Sequence, residues 1–473
     1  MAAHALGRHL VLTGFMGAGK STLGAELAER LGRRFVDTDA AVEAWAGRTI
    51  PELFAEGSFR RLEKRTVVDV LASGDPAVVA LGGGAAEATA VREALRRHAC
   101  TLLVDVDADT AWRRVAGNDR PLAQDEGEFR RLYEERRTLY DEVADATVSE
   151  VEDALLAAGG VHVERGAVGR LAELVPGTGA VELVTDARVG GIHGVDAQLG
   201  LRARDAATHE LPAGEEAKSV GAVERLWRAL RLDRHGTLVA LGGGATTDAA
   251  GFVAATYLRG IDWVAVPSTL VGQVDAAIGG KTAIDVPEGK NLVGAFHWPM
   301  RTVIDPALLE TLPEAELRNG RAELVKTGLL TGEPLWELPL HEAVRRCAAF
   351  KVGVCLQDPH DLGPRQQLNL GHTFAHALEA AADFTLPHGR AVALGLLAAL
   401  RLSGLDARDV ERELAPEPVR VDRERAWAAL ARDKKSEGGS LRLVLLDAPG
   451  HPRIGVELPP SDVRAALDAL IAR

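Results

Sequence analysis

The chain has 473 residues, 47% of them hydrophobic and 26% charged, with a formal net charge of −13 at pH 7. At roughly 150 residues per domain the length suggests about three domains, and the acidic balance excludes nucleic acid as a general partner, because phosphate backbones need surplus lysine and arginine. With no apolar run near the roughly 18 residues of a membrane span, no leader pattern in residues 1–9 and three cysteines outside any C-x-x-C spacing, the composition points to a cytoplasmic protein with no membrane partner.

Residues 9–13 (His-Leu-Val-Leu-Thr) predict a short buried strand. It runs into Gly14-Phe-Met-Gly-Ala-Gly-Lys-Ser21, a full match to G-x-x-x-x-G-K-[ST], followed at once by a helical pattern over 22–31. Strand, loop and helix in that order are the setting this motif requires. Backbone N–H groups of the glycine turn and the helix start cradle phosphates. Lys20 reaches the outer phosphates of a nucleoside triphosphate, and Ser21 takes a Mg²⁺ ion. A second strand ends in Phe35-Val-Asp37-Thr-Asp39. One of these carboxylates can join the metal through water while the other faces an acceptor hydroxyl; the plainer alternative is that Asp39 caps a helix. Phe59-Arg60, Gly82-Gly-Gly84, Asp119-Arg-Pro-Leu122 and Arg136 ahead of Leu139-Tyr140 follow.

This ordered set resembles shikimate kinase. The resemblance implies that ATP meets Gly14, Gly17, Ala18, Gly19, Lys20, Ser21 and Thr22, with Mg²⁺ on Ser21 and Asp37. It implies that shikimate meets Asp39, Arg60, Gly83, Gly84 and Arg136, that Asp39 accepts the hydroxyl proton, and that Arg120 of a lid reaches both ATP and the transferring phosphoryl group. These residue types suit the task, since arginine pairs bidentately with carboxylates and phosphoryl transfer depends on positioning and charge neutralisation. The turn before Phe59 and the lid over 120–127 are shorter than that family has, and Thr138 stands where it has a proline.

Residues 151–158 predict the last helix of this unit, ended by Gly159-Gly160. Little linker precedes Val161-His-Val163. Residues 183–186 then end a strand, 211–218 form a ligand-facing loop, and Val239-Ala-Leu-Gly-Gly-Gly244 precedes a helix headed by Asp248. The same phrase occurs at Val79-Ala-Leu-Gly-Gly-Gly84, so two domains bring backbone close to a ligand in the same way. A strand over 263–270 leads to Gln273-Val-Asp275, Gly279-Gly-Lys281-Thr282 and Gly289-Lys290-Asn291. Strands alternating with helices predict a parallel sheet covered on both faces; beyond about 305 the pattern is helical only. Over 369–379 apolar residues recur at helical spacing, and His372 and His376, four apart, project from one face. His388 opens the next helix and Glu323 lies upstream. Three N/O ligands from separate helices with one position open can hold a catalytic divalent metal, although histidines at this spacing also suit a helix core or surface.

Closed by Arg432-Asp-Lys-Lys435, this set resembles 3-dehydroquinate synthase over essentially all of 160–473. That family uses NAD⁺ and a divalent metal, Zn²⁺ or Co²⁺, to convert 3-deoxy-D-arabino-heptulosonate 7-phosphate into 3-dehydroquinate and phosphate. The resemblance implies a metal on Glu323, His372 and His388. It places NAD against Asp186, Glu215, Lys218, Gly242, Gly243, Gly244, Asp248, Ser268, Thr269, Lys281 and Lys290. Substrate would meet Arg259, Asp275, Lys281, Lys290, Asn291, Lys326, Arg365, Asn369, His376, Lys434 and Lys435, with Lys281, Lys326, Arg365, His376 and Lys434 acting in catalysis. His376 would shuttle protons near pH 7. A homodimer through this half is also implied.

Three departures bear on activity. Arg390 stands where the family has a glutamate after His-Gly, Asp361 replaces a longer glutamate, and Thr247 replaces a glycine. An arginine beside a dication is unfavourable unless it points at substrate or solvent. The expected fold is α/β: a P-loop kinase domain over 1–159, with a parallel sheet and helices on both faces, an NAD-binding α/β domain over 160–305, and an all-helical metal-binding domain over 306–473. The expected function is a bifunctional enzyme of aromatic amino-acid biosynthesis. The alternatives are another sugar-phosphate cyclase of secondary metabolism, a fusion with one active half, or a scaffold that keeps its pockets without catalysis.

Overall fold

The computed structural model describes residues 4–117, 121–436 and 441–472. The chain divides into two compact units, Met1–Val161 with Val352–Gln357, and His162–Lys351 with Asp358–Arg473.

In the first unit, strands β1 (His9–Thr13), β2 (Phe35–Asp37), β3 (Val78–Ala80), β4 (Ala99–Val104) and β5 (Ala146–Val148) form one sheet in the order β2-β3-β1-β4-β5. The register is parallel, with Leu10 beside both Val78 and Cys100. Every residue of β1 is buried, which is why this central strand reads as an unbroken apolar run rather than an alternating one. The strand order reverses around β1, so its carboxyl end opens a crevice of the kind that receives ligands in such sheets.

From the boundary onward come β6 (Val161–Val163), β7 (Val181–Asp186), β8 (Ala207–Leu211), β9 (Thr237–Gly242), β10 (Asp262–Pro267), β11 (Lys281–Val286), β12 (Gly289–Phe296) and β13 (Arg301–Ile304). Six of them make a sheet in the order β6-β13-β10-β9-β7-β8, with Leu183, Val239 and Val264 in parallel register. β11 and β12 form a separate antiparallel hairpin, which the sequence presented only as glycine-flanked loops. The outer strand of that hairpin is exposed along most of its length, so no burial alternation marks it.

Beyond it the chain is helical: Glu314–Thr331, Leu340–Gln357, His372–Ala381, His388–Leu402 and Arg423–Ser436. Phe374, Leu378, Leu396 and Leu400 sit in one buried cluster there, each contributing about 1.5–3 kcal/mol of burial. The expectation of helices only is corrected by one hairpin, β14 (Leu443–Ala448) with β15 (His451–Val456). Its buried Leu-Val-Leu-Leu run cannot be told from a helix segment by periodicity. The 369–379 stretch is also not one helix. Residues Pro364–Asn369 form a 3₁₀ turn, Gly371 takes φ 78°, and the α-helix starts at His372. Among the described residues, no helix is long and apolar enough to cross a membrane.

Candidate active sites

In the first unit Gly14, Gly17 and Gly19 take φ of 138°, 81° and 95°. A Cβ on Gly17 would lie 2.8 Å from the Ala111 carbonyl oxygen, so only glycine follows this path. The turn delivers the chain to helix Lys20–Arg30, whose first N–H groups no side chain caps; they remain available to an anion. The Lys20 ammonium donates to the carbonyls of Gly14 and Phe15 at 2.8 and 2.9 Å, acceptors that phosphate oxygens can replace. Ser21 Oγ donates to Asp37 Oδ2 at 2.6 Å, an oxygen pair suited to a hard cation. Asp37 Oδ1 accepts from the N–H groups of Asp39 and Ala40. Asp37, and not Asp39, is therefore the cap of helix Thr38–Ala46. Asp39 faces the triple glycine instead, where a Cβ on Gly82 would strike its Oδ1 and Glu63 Oε1.

Two arginines flank the same turn. A Cβ on Gly84 would run into the Arg60 guanidinium, and one on Gly83 would lie 3.9 Å from Arg136 Nη1. Arg60 pairs with Glu63 at 2.6 Å, and burial raises the Glu63 carboxyl despite that arginine. Arg136 is buried and donates to Glu87 Oε1 through Nε and Nη2, at 2.7 and 2.6 Å. Tyr140 Oη donates to Gly83 O at 2.5 Å, and burial pushes its phenol up so that it stays a neutral donor.

In the second unit close helix contacts assemble a cluster of three ligand atoms. A Cβ on Gly389 would lie 2.5 Å from Asn319 O, so helices Glu314–Thr331 and His388–Leu402 touch backbone to backbone. That contact sets His388 Nε2 2.9 Å from Glu323 Oε1. On the other side Gly371 leaves no room for a Cβ, which would lie 2.7 Å from Leu396 N, and His372 Nε2 comes to 3.4 Å from the same oxygen. One ligand atom from each of Glu323, His372 and His388 lies within 4.8 Å of the others. A tetrahedral Zn²⁺ with ligands at about 2.1 Å spaces them by roughly 3.4 Å, so the donor set and its spacing fit such an ion. The second ring nitrogens are engaged, His388 Nδ1 with Glu379 Oε1 at 3.0 Å and His372 Nδ1 with Leu370 O at 3.2 Å, the usual way of aiming Nε2 at a metal.

The electrostatics ask for positive charge at this point. Burial pulls His388 down, but its bonds to Glu323 and Glu379 push it up to about 10. Burial would raise Glu323, yet Lys326 and the two histidines hold it well below the ordinary carboxylate range. Lys326 Nζ sits 2.5 Å from Glu323 Oε2. A dication meets the same demand with two charges.

His388 is also on the wall of a cavity of about 860 Å³ that runs past His376 to Gly243, Gly244, Ser268 and Asp186. That size suits a large small-molecule ligand. The N-terminus of helix Gly244–Thr256 opens onto it with no side-chain cap, and Ser268 Oγ is buried with no partner among the described residues. Both features fit a dinucleotide whose diphosphate lies at the helix start. Asp186 caps helix Ala187–Gly200 and accepts from Thr246 Oγ1 at 2.9 Å. Lys218 pairs with Asp248 at 2.9 Å and bonds Asn291, while Lys290 lies 3.2 Å from Glu215. Lys281 pairs with Asp361. A smaller hollow of about 190 Å³ is lined by Asn369, His372 and His376, so His376 borders both spaces. Burial and His372 lower its imidazole to about 4, a direction that favours the neutral ring over a shuttle titrating near pH 7.

Over 345 residues the chain is 39% identical to the 3-dehydroquinate synthase of Bordetella pertussis, spanning 65% of this chain and 95% of that protein. The chain belongs to the 3-dehydroquinate synthase family. Residues 208–319 and 320–436 match the family models described as 3-dehydroquinate synthase N-terminal and C-terminal. The synthase of Latilactobacillus sakei is 36% identical over 335 residues, 65% of this chain and 94% of its own. A solved 2-epi-5-epi-valiolone synthase from Streptomyces hygroscopicus, with NAD⁺ and Zn²⁺ bound, is 28% identical with a TM-score of 0.58 and covers 66% of this chain and 96% of that one. Ahead of the synthase part, residues 16–158 match the shikimate kinase family model; one chain joins the two enzymes.

Four residues near the sites escaped the sequence reading. In the synthase part these are Lys351, which donates to Asp275 O at 2.5 Å and pairs with its carboxylate, and Glu379; in the kinase part they are Glu63 and Glu87. Lys351 had one signal, a lone cation in the apolar run Ala348-Ala-Phe-Lys-Val-Gly-Val354. Arg259 is on neither cavity wall; it is exposed, in the turn Tyr257–Arg259 where Leu258 and Arg259 both take positive φ. Arg390 points away from the metal cluster, half exposed, 4.0 Å from Glu417 Oε2, so its charge does not face the dication site. Thr247 is accommodated by donating to the Gly244 carbonyl within its own helix. Arg365 is buried, with Nη2 donating to Gly279 O at 3.0 Å. Arg120 lies outside the described residues, as do the side chains of Lys434 and Lys435.

Proposed function

We propose that the synthase part cyclises 3-deoxy-D-arabino-heptulosonate 7-phosphate to 3-dehydroquinate and that the kinase part phosphorylates the 3-hydroxyl of shikimate, through the residues described above. The observation that carries the synthase reading is that His388, a member of the Glu323–His372–His388 cluster, is itself part of the wall of the dinucleotide-sized cavity. When bound, the dication supplies Lewis-acid polarisation of a substrate oxygen, and the nicotinamide takes up and returns a hydride. Glu323, His372 and His388 would hold the metal, and Gly243, Gly244, Ser268, Asp186 and Lys218 the NAD⁺. Lys281, Lys326, Lys351 and Arg365 bring the positive charge that a carboxylate and phosphate need. His376 would donate a ring N–H to the substrate's phosphate group.

In the kinase part Lys20 and the uncapped helix start would hold the phosphates, Ser21 and Asp37 the Mg²⁺, and Arg60 and Arg136 the acceptor's carboxylate. Asp39, beside the triple glycine, would take the hydroxyl proton. Within the synthase part the dinucleotide would lie in 160–305 and the metal in 306–473. The chain would act as a cytoplasmic homodimer through the synthase half. Its exposed Arg259, off its own cavity wall, is free to serve a second copy, and its cysteines form no disulfide. Two assays on the full chain test this: phosphate release from the heptulosonate phosphate with NAD⁺, before and after chelation, and ATP consumption dependent on shikimate. Turnover of sedoheptulose 7-phosphate in place of the heptulosonate would favour a secondary-metabolic cyclase instead.

A further inference from the structure

The geometry points to Glu87 as an occupant of the acceptor-carboxylate site, a residue that sets how tightly the kinase part holds its substrate; this rests on the shikimate reading proposed above. Arg136 has a side chain 5% exposed, whereas Glu87 is 43% exposed. Glu87 Oε1 meets Arg136 through both Nε and Nη2, at 2.7 and 2.6 Å, on an edge of the guanidinium that a carboxylate ligand pairs with bidentately. The neighbouring pair behaves differently. Glu63 holds Arg60 at 2.6 Å from a side chain only 3% exposed, so it is fixed. Glu87 ends the short turn Ala85–Glu87 directly after the triple glycine and has solvent to swing into.

An arriving carboxylate has two courses. It can displace Glu87 from Arg136, or take the remaining N–H groups and sit beside a like charge. Both lower its affinity, because the pair already formed must be given up or a repulsion accepted. Between turnovers the same contact keeps the buried Arg136 charge paired and its guanidinium aimed at the glycine turn. Glu87 touches no reacting atom; it is a positioning residue that trades affinity for an oriented, charge-balanced site.

Steady-state kinase kinetics of the full chain with Glu87→Gln test the proposal. The KM for shikimate should fall roughly tenfold, with kcat and the KM for ATP within about twofold of wild type. Glu87→Asp, too short to span the same gap, should shift KM the same way and guards against misfolding of the first variant. Thermal melting adds a readout that a purely structural contact would not give. The substrate-free variant should melt earlier, and saturating shikimate should restore the wild-type liganded value. An unchanged or raised KM in variants that turn over overturns the inference about Glu87 alone. No shikimate-dependent turnover in the wild type overturns the kinase reading and this inference with it.

Discussion

In the kinase part Lys20 and Arg136 lean on groups that can move aside, whereas in the synthase part Lys326 and Lys351 are locked into buried pairs. Lys20 rests on two backbone carbonyls and Arg136 on a half-exposed glutamate. Lys326 with Glu323, and Lys351 with Asp275, are enclosed by helices and leave little side chain in solvent. The kinase would bind its phosphates largely with backbone N–H groups, which need only a loop of the right shape. The synthase must bring together charges from segments far apart in sequence, and each charge needs a partner before any ligand arrives. Substituting Lys20 should therefore cost function with little stability, and substituting Lys326 or Lys351 function and fold together.

The largest effect expected is at the metal cluster. Glu323→Ala removes one of three ligands and leaves Lys326 buried without its carboxylate. Bound metal should drop from about one per chain to almost none and synthase turnover by at least about 10³-fold, while kinase turnover stays within about twofold. Elemental analysis beside both assays checks this. Metal retained at wild-type level would show that the three side chains are a core cluster and not a metal site.

Lys351→Met and Lys20→Met then set the two modes of charge against each other. Lys351→Met strands the Asp275 carboxylate, which burial would raise but Lys351 and Lys326 hold down, and should cost about 3–5 kcal/mol of stability. Lys20→Met should cost little stability yet about 10²- to 10³-fold in kinase turnover, as loss of one preorganised donor does. Denaturant titrations of both variants decide it: equal destabilisation would erase the contrast between locked and movable charges.

How much of this was legible in the sequence follows the same division. The phosphate loop was readable in full because Gly14 to Ser21 is contiguous and its φ values demand glycine. The central strands were readable because burial on both faces leaves an apolar run. The proposed ligands Glu323, His372 and His388 were visible as residue types, but their meeting depends on Gly389 and Gly371 admitting neighbouring backbone, and no local pattern carries that. Residues that act by pairing were missed for a related reason. Glu379, Glu63 and Glu87 look like ordinary surface acids in sequence, and only the fold shows which cation or imidazole each one faces. The β11–β12 hairpin was lost because its outer strand has no buried face to set an alternation.

A smaller effect is expected one step out from the metal. Glu379→Gln keeps the shape but replaces the carboxylate that bonds His388 Nδ1 at 3.0 Å. Metal affinity should fall by about 10- to 100-fold without loss of the fold, read from competition with a chromophoric chelator; an unchanged affinity would mean that the helix start alone orients His388. In the kinase part the matching test is pH. Burial, set against Arg60, raises the Glu63 carboxyl, so the folded chain binds that proton more tightly than the unfolded one. The stability this gives is full below the unfolded value of about 4.3 and is lost as pH rises through the folded one. Melting of the first unit should therefore fall less steeply as pH rises from the unfolded value through the raised folded one in Glu63→Gln than in wild type. Parallel profiles would exclude Glu63 as the source of the slope.

The smallest effect expected is at Arg390, where sequence alone suggests the largest electrostatic fault. An arginine two residues from a metal ligand would repel a dication by several kcal/mol if it shared a low-dielectric pocket with it. Position in sequence is not position in space, however. His388 and Arg390 lie two residues apart at a helix start, about 200° around the axis, and the Arg390 guanidinium extends to the Glu417 backbone oxygen at 3.5 Å, where its side chain is 45% exposed. Solvent at that distance screens its charge from the cluster. Arg390→Glu should leave metal affinity within about twofold of wild type and stability within about 0.5 kcal/mol. A tenfold gain in affinity would mean that the arginine turns inward when the metal binds, and the locked arrangement of this site would then extend one helical turn further than its buried pairs.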